Sequence, residues 1–225
     1  PYQMTKNTKH RKFIRFLWIC FGAVSIGIVG TFGAASAGLL GTMPDFRQLE
    51  NPKTNLATQI ISSDNTILGK FYFNDNRTPI SYHEIPSSMI NALIATEDER
   101  FYSHSGIDFK GTARALFYLG AKGGGSTITQ QLARQLFTGV RSRNKLEAVV
   151  QKIKEWVIAI RLERRYTKNE IITMYLNIYD FNYNADGIRS ASSIYFSKTP
   201  EEMSLSESAM LVGMLKNSSL YNPLR

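Results

Sequence analysis

The chain is expected to be mainly α-helical, with a small β-hairpin leading in and one transmembrane helix ahead of it. Three observations predict this. No charged residue occurs from Phe16 to Met43, a run of 28 residues, where about 20 suffice to cross a bilayer. An apolar, β-branched run (Thr58, Ile60, Ile61) and a second apolar run (Ile67, Leu68, Phe71, Tyr72, Phe73) flank the turn residues Ser62-Ser63-Asp64-Asn65. From Pro86 onward the apolar residues recur with helical spacing. With 225 residues, 43% hydrophobic and 20% charged, the composition is that of a folded chain.

The elements follow in order. Residues 1–15 carry five basic and no acidic side chains, Lys6, Lys9, Arg11, Lys12 and Arg15. The formal charge of +9 is therefore partly local, which argues against nucleic acid as a partner. Residues 16–43 read as the transmembrane helix. The basic tail before it places the N-terminus in the cytoplasm and the rest of the chain outside. A cleaved signal peptide is the rival reading, since Ala35-Ser36-Ala37 resembles a cleavage site, but an apolar region of about 20 residues exceeds the 7–15 of a signal core. Residues 44–55, with Pro44 and Pro52, read as a linker, and 56–225 as one domain. Its hairpin covers 56–73. Helices are expected near 88–101, 108–120, 127–138, 143–164, 168–177, 186–196 and 204–216. The single Cys20 rules out a disulfide scaffold, and three histidines argue against structural zinc.

Two glutamates stand out. Along 87–101, Ile90, Leu93, Ile94 and Phe101 form one stripe and Glu97 falls inside it, whereas Asp98, Glu99 and Arg100 fall away. A carboxylate on an apolar face is costly unless paired or protonated, and such a group suits acid–base work. A buried structural pair fits the pattern equally. Along 143–164, Leu146, Val149, Val150, Ile153, Val157 and Ile160 are expected to form the core stripe, with Glu155 opposite. Ile158, Ala159 and Leu162 flank Glu155, and Gln151 and Lys152 are its i−4 and i−3 neighbours. A surface Lys–Glu pair is the rival reading there. Lys122-Gly123-Gly124-Gly125-Ser126-Thr127 leads into a helix for which Thr127 and Gln130 have capping-box spacing. The free N–H groups of such a start can hold an anion, although the Walker spacing is absent.

Read together, these segments resemble the peptidoglycan glycosyltransferase domain, family 51, of class A penicillin-binding proteins. The first motif reads Glu97-Asp98-Glu99-Arg100-Phe101-Tyr102-Ser103-His104-Ser105-Gly106. The second is Gly125-Ser126-Thr127-Ile128-Thr129-Gln130-Gln131-Leu132. The third is Gln151-Lys152-Ile153-Lys154-Glu155, the fourth Lys168-Asn169-Glu170 through Tyr175-Leu176-Asn177, and a fifth runs from Gly187 to Lys198. Gln151 replaces the family's arginine, Arg134 stands at a lysine position and Gln135 at an asparagine position.

The resemblance implies a lysozyme-like fold that polymerises lipid II into β-1,4 glycan strands and releases undecaprenyl pyrophosphate. It implies Glu97 as general base. Glu155 would assist the leaving group with a divalent metal, Mg2+ or Mn2+, or a neighbouring cation. Arg114, Arg134 and Lys152 would bind phosphates, and Ser126, Thr127, Gln130 and Gln131 would position the substrate. Asp98, Phe101 and His104 complete the substrate-binding set by shaping the site. For the charge missing at Gln151, Lys152, Lys154 or Arg161 is expected to compensate. The implied setting is the bacterial cytoplasmic membrane. The implied partners are lipid II, the growing glycan strand and cell-wall synthesis or division proteins, with a transpeptidase domain beyond residue 225 an open matter. A lytic hydrolase and a catalytically dead scaffold are the rivals.

Overall fold

The computed structural model describes residues 2–41, 43–44, 58–64, 66–71, 76–118, 124–218 and 220–223. Most of the expected linker, the outer ends of the hairpin, and Lys122 and Gly123 of the glycine loop lie outside the described residues.

Helix α1 (Tyr2–Ser36) begins within the basic tail. Its segment His10–Ser36 has a mean hydropathy of 2.0 and is long and apolar enough to cross a membrane. The helix stops at Ser36 and passes into turns through residues 37–41, so the end of the 16–43 run is not helical. Strands β1 (Thr58–Ile61) and β2 (Ile67–Phe71) pair antiparallel, Thr58 opposite Phe71.

The remaining helices are α2 (Ser87–Glu97), α3 (Phe109–Phe117), α4 (Ile128–Ala133), α5 (Lys145–Arg165), α6 (Lys168–Ile178), α7 (Gly187–Phe196) and α8 (Leu205–Lys216). Side-chain caps set their starts: Thr127 before α4, Asn144 before α5, and Thr167 and Ser204 in capping boxes with Glu170 and Glu207. Helix α4 is the hub. It packs on α5 and α6, and Ile128, Thr129, Gln130, Leu132 and Ala133 are all buried. A π-helical turn, Arg134–Thr138, continues it. Helix α2 seats Met89, Ile90 and Leu93 in the core and packs on α8.

Two expectations need correction. The helix expected over 88–101 ends at Glu97, and Asp98 leaves the helical region with φ −157° and ψ 71°. Phe101 is then buried from a separate 3-10 turn, Phe101–Ser103. The helical projection fails at this point, because Asp98 leaves the helix to serve as a hydrogen-bond acceptor in the core. The second correction concerns α5. Its buried residues are Glu155, Val157, Ile158, Ala159 and Leu162, whereas Leu146 and Val149 are 78% and 58% exposed. The apolar stripe assigned to the core lies largely outside it, and Glu155 faces inward.

Two glycines are required by close approach. Gly106 (φ +92°) lies so near α5 that a Cβ would sit 2.9 Å from the carbonyl of Ala159. Gly187 (φ +76°) starts α7 where a Cβ would meet the Asn177 carbonyl oxygen at 2.5 Å. Positive φ and contact with rigid backbone exclude larger residues at both places.

Helix α1 is not free of the domain. Phe32 stacks on Trp156 of α5 with ring centroids 5.9 Å apart. Ala35 is fully buried, and Arg161 donates to the Ser36 carbonyl (3.1 Å) and hydroxyl (3.0 Å).

Candidate active site

The site forms where the end of α2, the start of α4 and the middle of α5 meet. Asp98 organises the first part. Its carboxylate accepts from His104 Nε2 (2.9 Å) and from the backbone N–H of Ile128 (3.0 Å), which is an orphan donor at the start of α4. Thr127 Oγ1 donates to the Gly106 carbonyl (2.7 Å) and accepts from the Gln130 N–H. Gln130 Nε2 reaches the same carbonyl at 3.2 Å. Lys168, at the start of α6, donates to the His104 carbonyl (2.7 Å) and to Glu163 (2.8 Å), and its ammonium lies 4.2 Å from the centre of the Phe101 ring. The first, second and fourth motifs are thus one hydrogen-bonded unit.

Two adjacent glutamines of α4 serve two different carboxylates. Gln131 Nε2 donates to Glu97 Oε2 at 2.7 Å, and Tyr175 donates to Gln131 Oε1 at 2.9 Å. The other oxygen of Glu97, Oε1, is buried and has no hydrogen-bond partner among the described residues. Gln130 Oε1 accepts from Lys152 Nζ at 2.9 Å, and the same ammonium donates to Ser126 Oγ (2.8 Å) and Glu155 Oε2 (3.0 Å). Glu155 is 2% exposed. Burial lowers the Lys152 pKa, partly offset by Glu155, and the nearby positive charges of Arg141 and Arg134 lower it further. Lys152 and Arg141 therefore flank one carboxylate, with the charge of Arg134 felt at Lys152, which leaves an excess of positive charge for an anion.

A cleft of about 330 Å³ borders Glu97 and reaches Ser126, to which Lys152 donates. It is lined by Glu97, Arg114, Gly124, Ser126, Gln131 and Lys216, among others. A smaller recess beside it reaches Asp98, Asp108 and Thr127.

Glu97, Gln131, Arg114 and Ser126 thus come together at the cleft, with Lys152 bonded to Ser126 and Glu155 behind it; Arg134 acts on Lys152 through its charge. Phe101 is fully buried and Asp98 nearly so, and the side-chain groups of Thr127 and Gln130 are engaged with Gly106 and Lys152. These four shape the walls, whereas Ser126, Gln131 and Arg114 line the cleft itself.

Two contributors carry no role in the sequence reading. Arg141 lies 4.0 Å from Glu155; it precedes α5 in a short basic loop, Arg141-Ser142-Arg143, which was the available signal. Tyr175 is fully buried, and a buried tyrosine normally finds a partner for its hydroxyl. Lys154 and Arg161, expected to replace the charge missing at Gln151, instead face α1. The Lys154 ammonium lies beside Gly41, and Arg161 binds Ser36. Gln151 itself braces the loop that carries Arg141, accepting from the Ser142 N–H (2.8 Å) and donating to the Val140 carbonyl (3.3 Å).

The donor set does not fit the divalent metal expected at Glu155. Its nearest charged partners are cations, Lys152 at 3.0 Å and Arg141 at 4.0 Å. A carboxylate already bonded to an ammonium is a poor cation ligand.

A helical domain with a half-buried carboxylate on one side of a cleft and clustered cations on the other is built for transfer of a group from an anionic leaving group. Comparison with known proteins agrees. The family model described as Transglycosylase matches residues 64–225. Penicillin-binding protein 1A of Escherichia coli (strain K12) is 39% identical over 218 residues, covering 95% of this chain and 25% of the relative. Penicillin-binding protein 1F of Bacillus subtilis (strain 168) is 40% identical over 172 residues, covering 75% and 23%. The chain belongs to the transglycosylase family, and it is a glycosyltransferase domain of the penicillin-binding protein type. It spans about a quarter of the length of these relatives.

Proposed function

We propose that this domain polymerises lipid II into β-1,4 glycan strands with release of undecaprenyl pyrophosphate. The observation that carries the reading is Glu97 Oε1, buried and unpartnered at a cleft also lined by Arg114 and Ser126. An unsatisfied carboxylate oxygen is costly, and an incoming hydroxyl would satisfy it. The acceptor's 4-hydroxyl gives its proton to Glu97 as its oxygen attacks C1 of the lipid-linked donor. The C1–O bond to the diphosphate breaks with its electrons, and the α linkage becomes β. Lys152, Arg134 and Arg141 face the developing diphosphate charge as charge-assisted donors. Glu155 holds the Lys152 ammonium in place. No step passes through a metal.

Phe109, Leu116, Phe117, Val140, Leu146 and Val149 are all more than half exposed, and Lys110, Arg141 and Lys145 lie among them in sequence. An apolar surface with basic residues suits contact with a bilayer and its lipid-linked substrate. With α1 as anchor, the basic tail lies in the cytoplasm and the domain on the outer side of the bacterial cytoplasmic membrane.

Purified protein incubated with lipid II in detergent tests the reading. Glycan polymer supports it. Hydrolysed glycan makes the domain lytic, and no reaction makes it a scaffold.

Deletion of residues 1–43 is expected to leave a folded domain that still sediments with liposomes, though less completely, and still acts in detergent. Loss of the Phe32–Trp156 and Arg161–Ser36 contacts should lower its melting temperature by several degrees, at about 2–4 °C per kcal/mol for a domain of this size. A truncation that stays fully in the supernatant would remove the lipid-facing surface from the proposal.

Gln151→Arg is expected to raise the Michaelis constant for lipid II by about two- to tenfold. The substitution removes two hydrogen bonds on the Val140–Ser142 loop, each worth about 1 kcal/mol, while Arg141 and Lys152 already supply positive charge. Steady-state kinetics would decide. A hundredfold improvement would show that the charge at this position is uncompensated.

A further inference from the structure

We propose that Tyr175 is a positioning residue for the catalytic carboxylate: its hydroxyl fixes which end of the Gln131 amide faces Glu97. The inference rests on Glu97 being the base of the proposed reaction. Tyr175 stands on α6, Gln131 on α4 and Glu97 at the end of α2, so three helices meet through one chain of hydrogen bonds. Tyr175 donates to Gln131 Oε1 at 2.9 Å, and Gln131 Nε2 donates to Glu97 Oε2 at 2.7 Å.

Only one arrangement satisfies all three groups. An ionised carboxylate only accepts, an amide has a donor end and an acceptor end, and a phenol has one proton to give. If the amide were reversed, its carbonyl would face the carboxylate and the phenol proton would lose its acceptor. Tyr175 is fully buried, so water does not offer an easy replacement. The neighbouring phenol, Tyr179, is 5.9 Å away ring to ring and gives its own proton to the Met214 and Leu215 carbonyls. It leaves the Gln131 carbonyl to Tyr175. Burial, with the charge of Glu97 added, holds the Tyr175 pKa well above its ordinary value, so the phenol stays a donor throughout the working pH range.

The consequence is directional. With Oε2 held by Gln131, Glu97 cannot swing freely, and the unpartnered Oε1 is the atom offered to the acceptor hydroxyl. Orientation of a base affects the rate of proton transfer more than the affinity for substrate. Tyr175 touches neither substrate nor reacting atoms and acts through Gln131 alone.

The test is a double-mutant cycle in the full chain in detergent. Tyr175→Phe removes one oxygen and is expected to lower kcat for lipid II polymerisation about tenfold, with the Michaelis constant within about twofold of wild type. On a Gln131→Ala background, the same Tyr175→Phe change is expected to alter kcat by less than about twofold. Melting temperatures correct each rate for the folded fraction. Independent losses that multiply, or a Michaelis constant that rises as kcat falls, would overturn the proposal. A second readout does not depend on activity: the 15N side-chain amide resonance of Gln131, assigned by its loss in Gln131→Ala. Its shift and slow solvent exchange should be lost in Tyr175→Phe. An unchanged Gln131 resonance in that variant would overturn the hydrogen-bond chain. Failure of the wild type to polymerise lipid II would instead count against the proposed function, with the amide resonance still deciding the role of Tyr175.

Discussion

Glu97→Gln is expected to abolish polymerisation, lowering the rate by about 10²–10⁴-fold, the usual worth of a positioned general base, while folding and lipid II binding persist. The substitution is isosteric. Glu97 takes part in one side-chain hydrogen bond, from Gln131, and its other oxygen has no partner to lose. A neutral amide at that position cannot accept the acceptor's proton. Polymerisation by a fluorescent lipid II assay, with binding measured separately, would check both halves. Retention of more than a tenth of the wild-type rate would remove Glu97 from the role of base.

Lys152→Ala should be the most damaging single change to stability in the site. Glu155 is 2% exposed, and its close ionic partner is Lys152 at 3.0 Å, with Arg141 farther away at 4.0 Å. Removing one partner of a buried ion pair costs about 3–5 kcal/mol because the other charge is left uncompensated. Arg141 should keep the loss toward the lower end. Ser126 and Gln130 lose a donor at the same time. Denaturant unfolding would measure the effect. The double change Lys152→Ala with Glu155→Ala should recover part of the stability without recovering diphosphate binding. If Lys152→Ala unfolds like wild type, the pair is ornamental and the burial of Glu155 must be satisfied by solvent.

The helices of the domain were largely legible because their signals are local. Caps at Thr127, Asn144, Thr167 and Ser204 and the regular apolar spacing of α6 to α8 place those elements within a residue or two of where they stand. Glu97 and Gln131 were also legible, as residues of a motif. What failed has one physical cause. Helical periodicity identifies an apolar face, not what covers it. On α5, Leu146 and Val149 look like core but are exposed, whereas the true core face includes a carboxylate neutralised from i−3. Asp98 was placed off the apolar stripe because the helix was carried past its end, into a segment whose conformation is set by His104 and the start of α4. Arg141 and Tyr175 act through contacts 14 and 44 residues away in the chain, and no local pattern reports such pairing.

The seat of α1 on α5 has a mechanical meaning. Trp156, where the anchor docks, is the residue after Glu155 and one turn from Lys152, so a single rigid rod carries both the attachment and part of the site. A domain tethered by a flexible string would sample many heights and tilts above a bilayer. Docked in this way, its cleft has few degrees of freedom left relative to α1. A force or rotation applied to the anchor would be felt at Lys152 and Glu155 without passing through a hinge. On the proposed reading, α1 would act as an axle as well as a tether, fixing the angle at which the lipid-linked substrate meets the cleft.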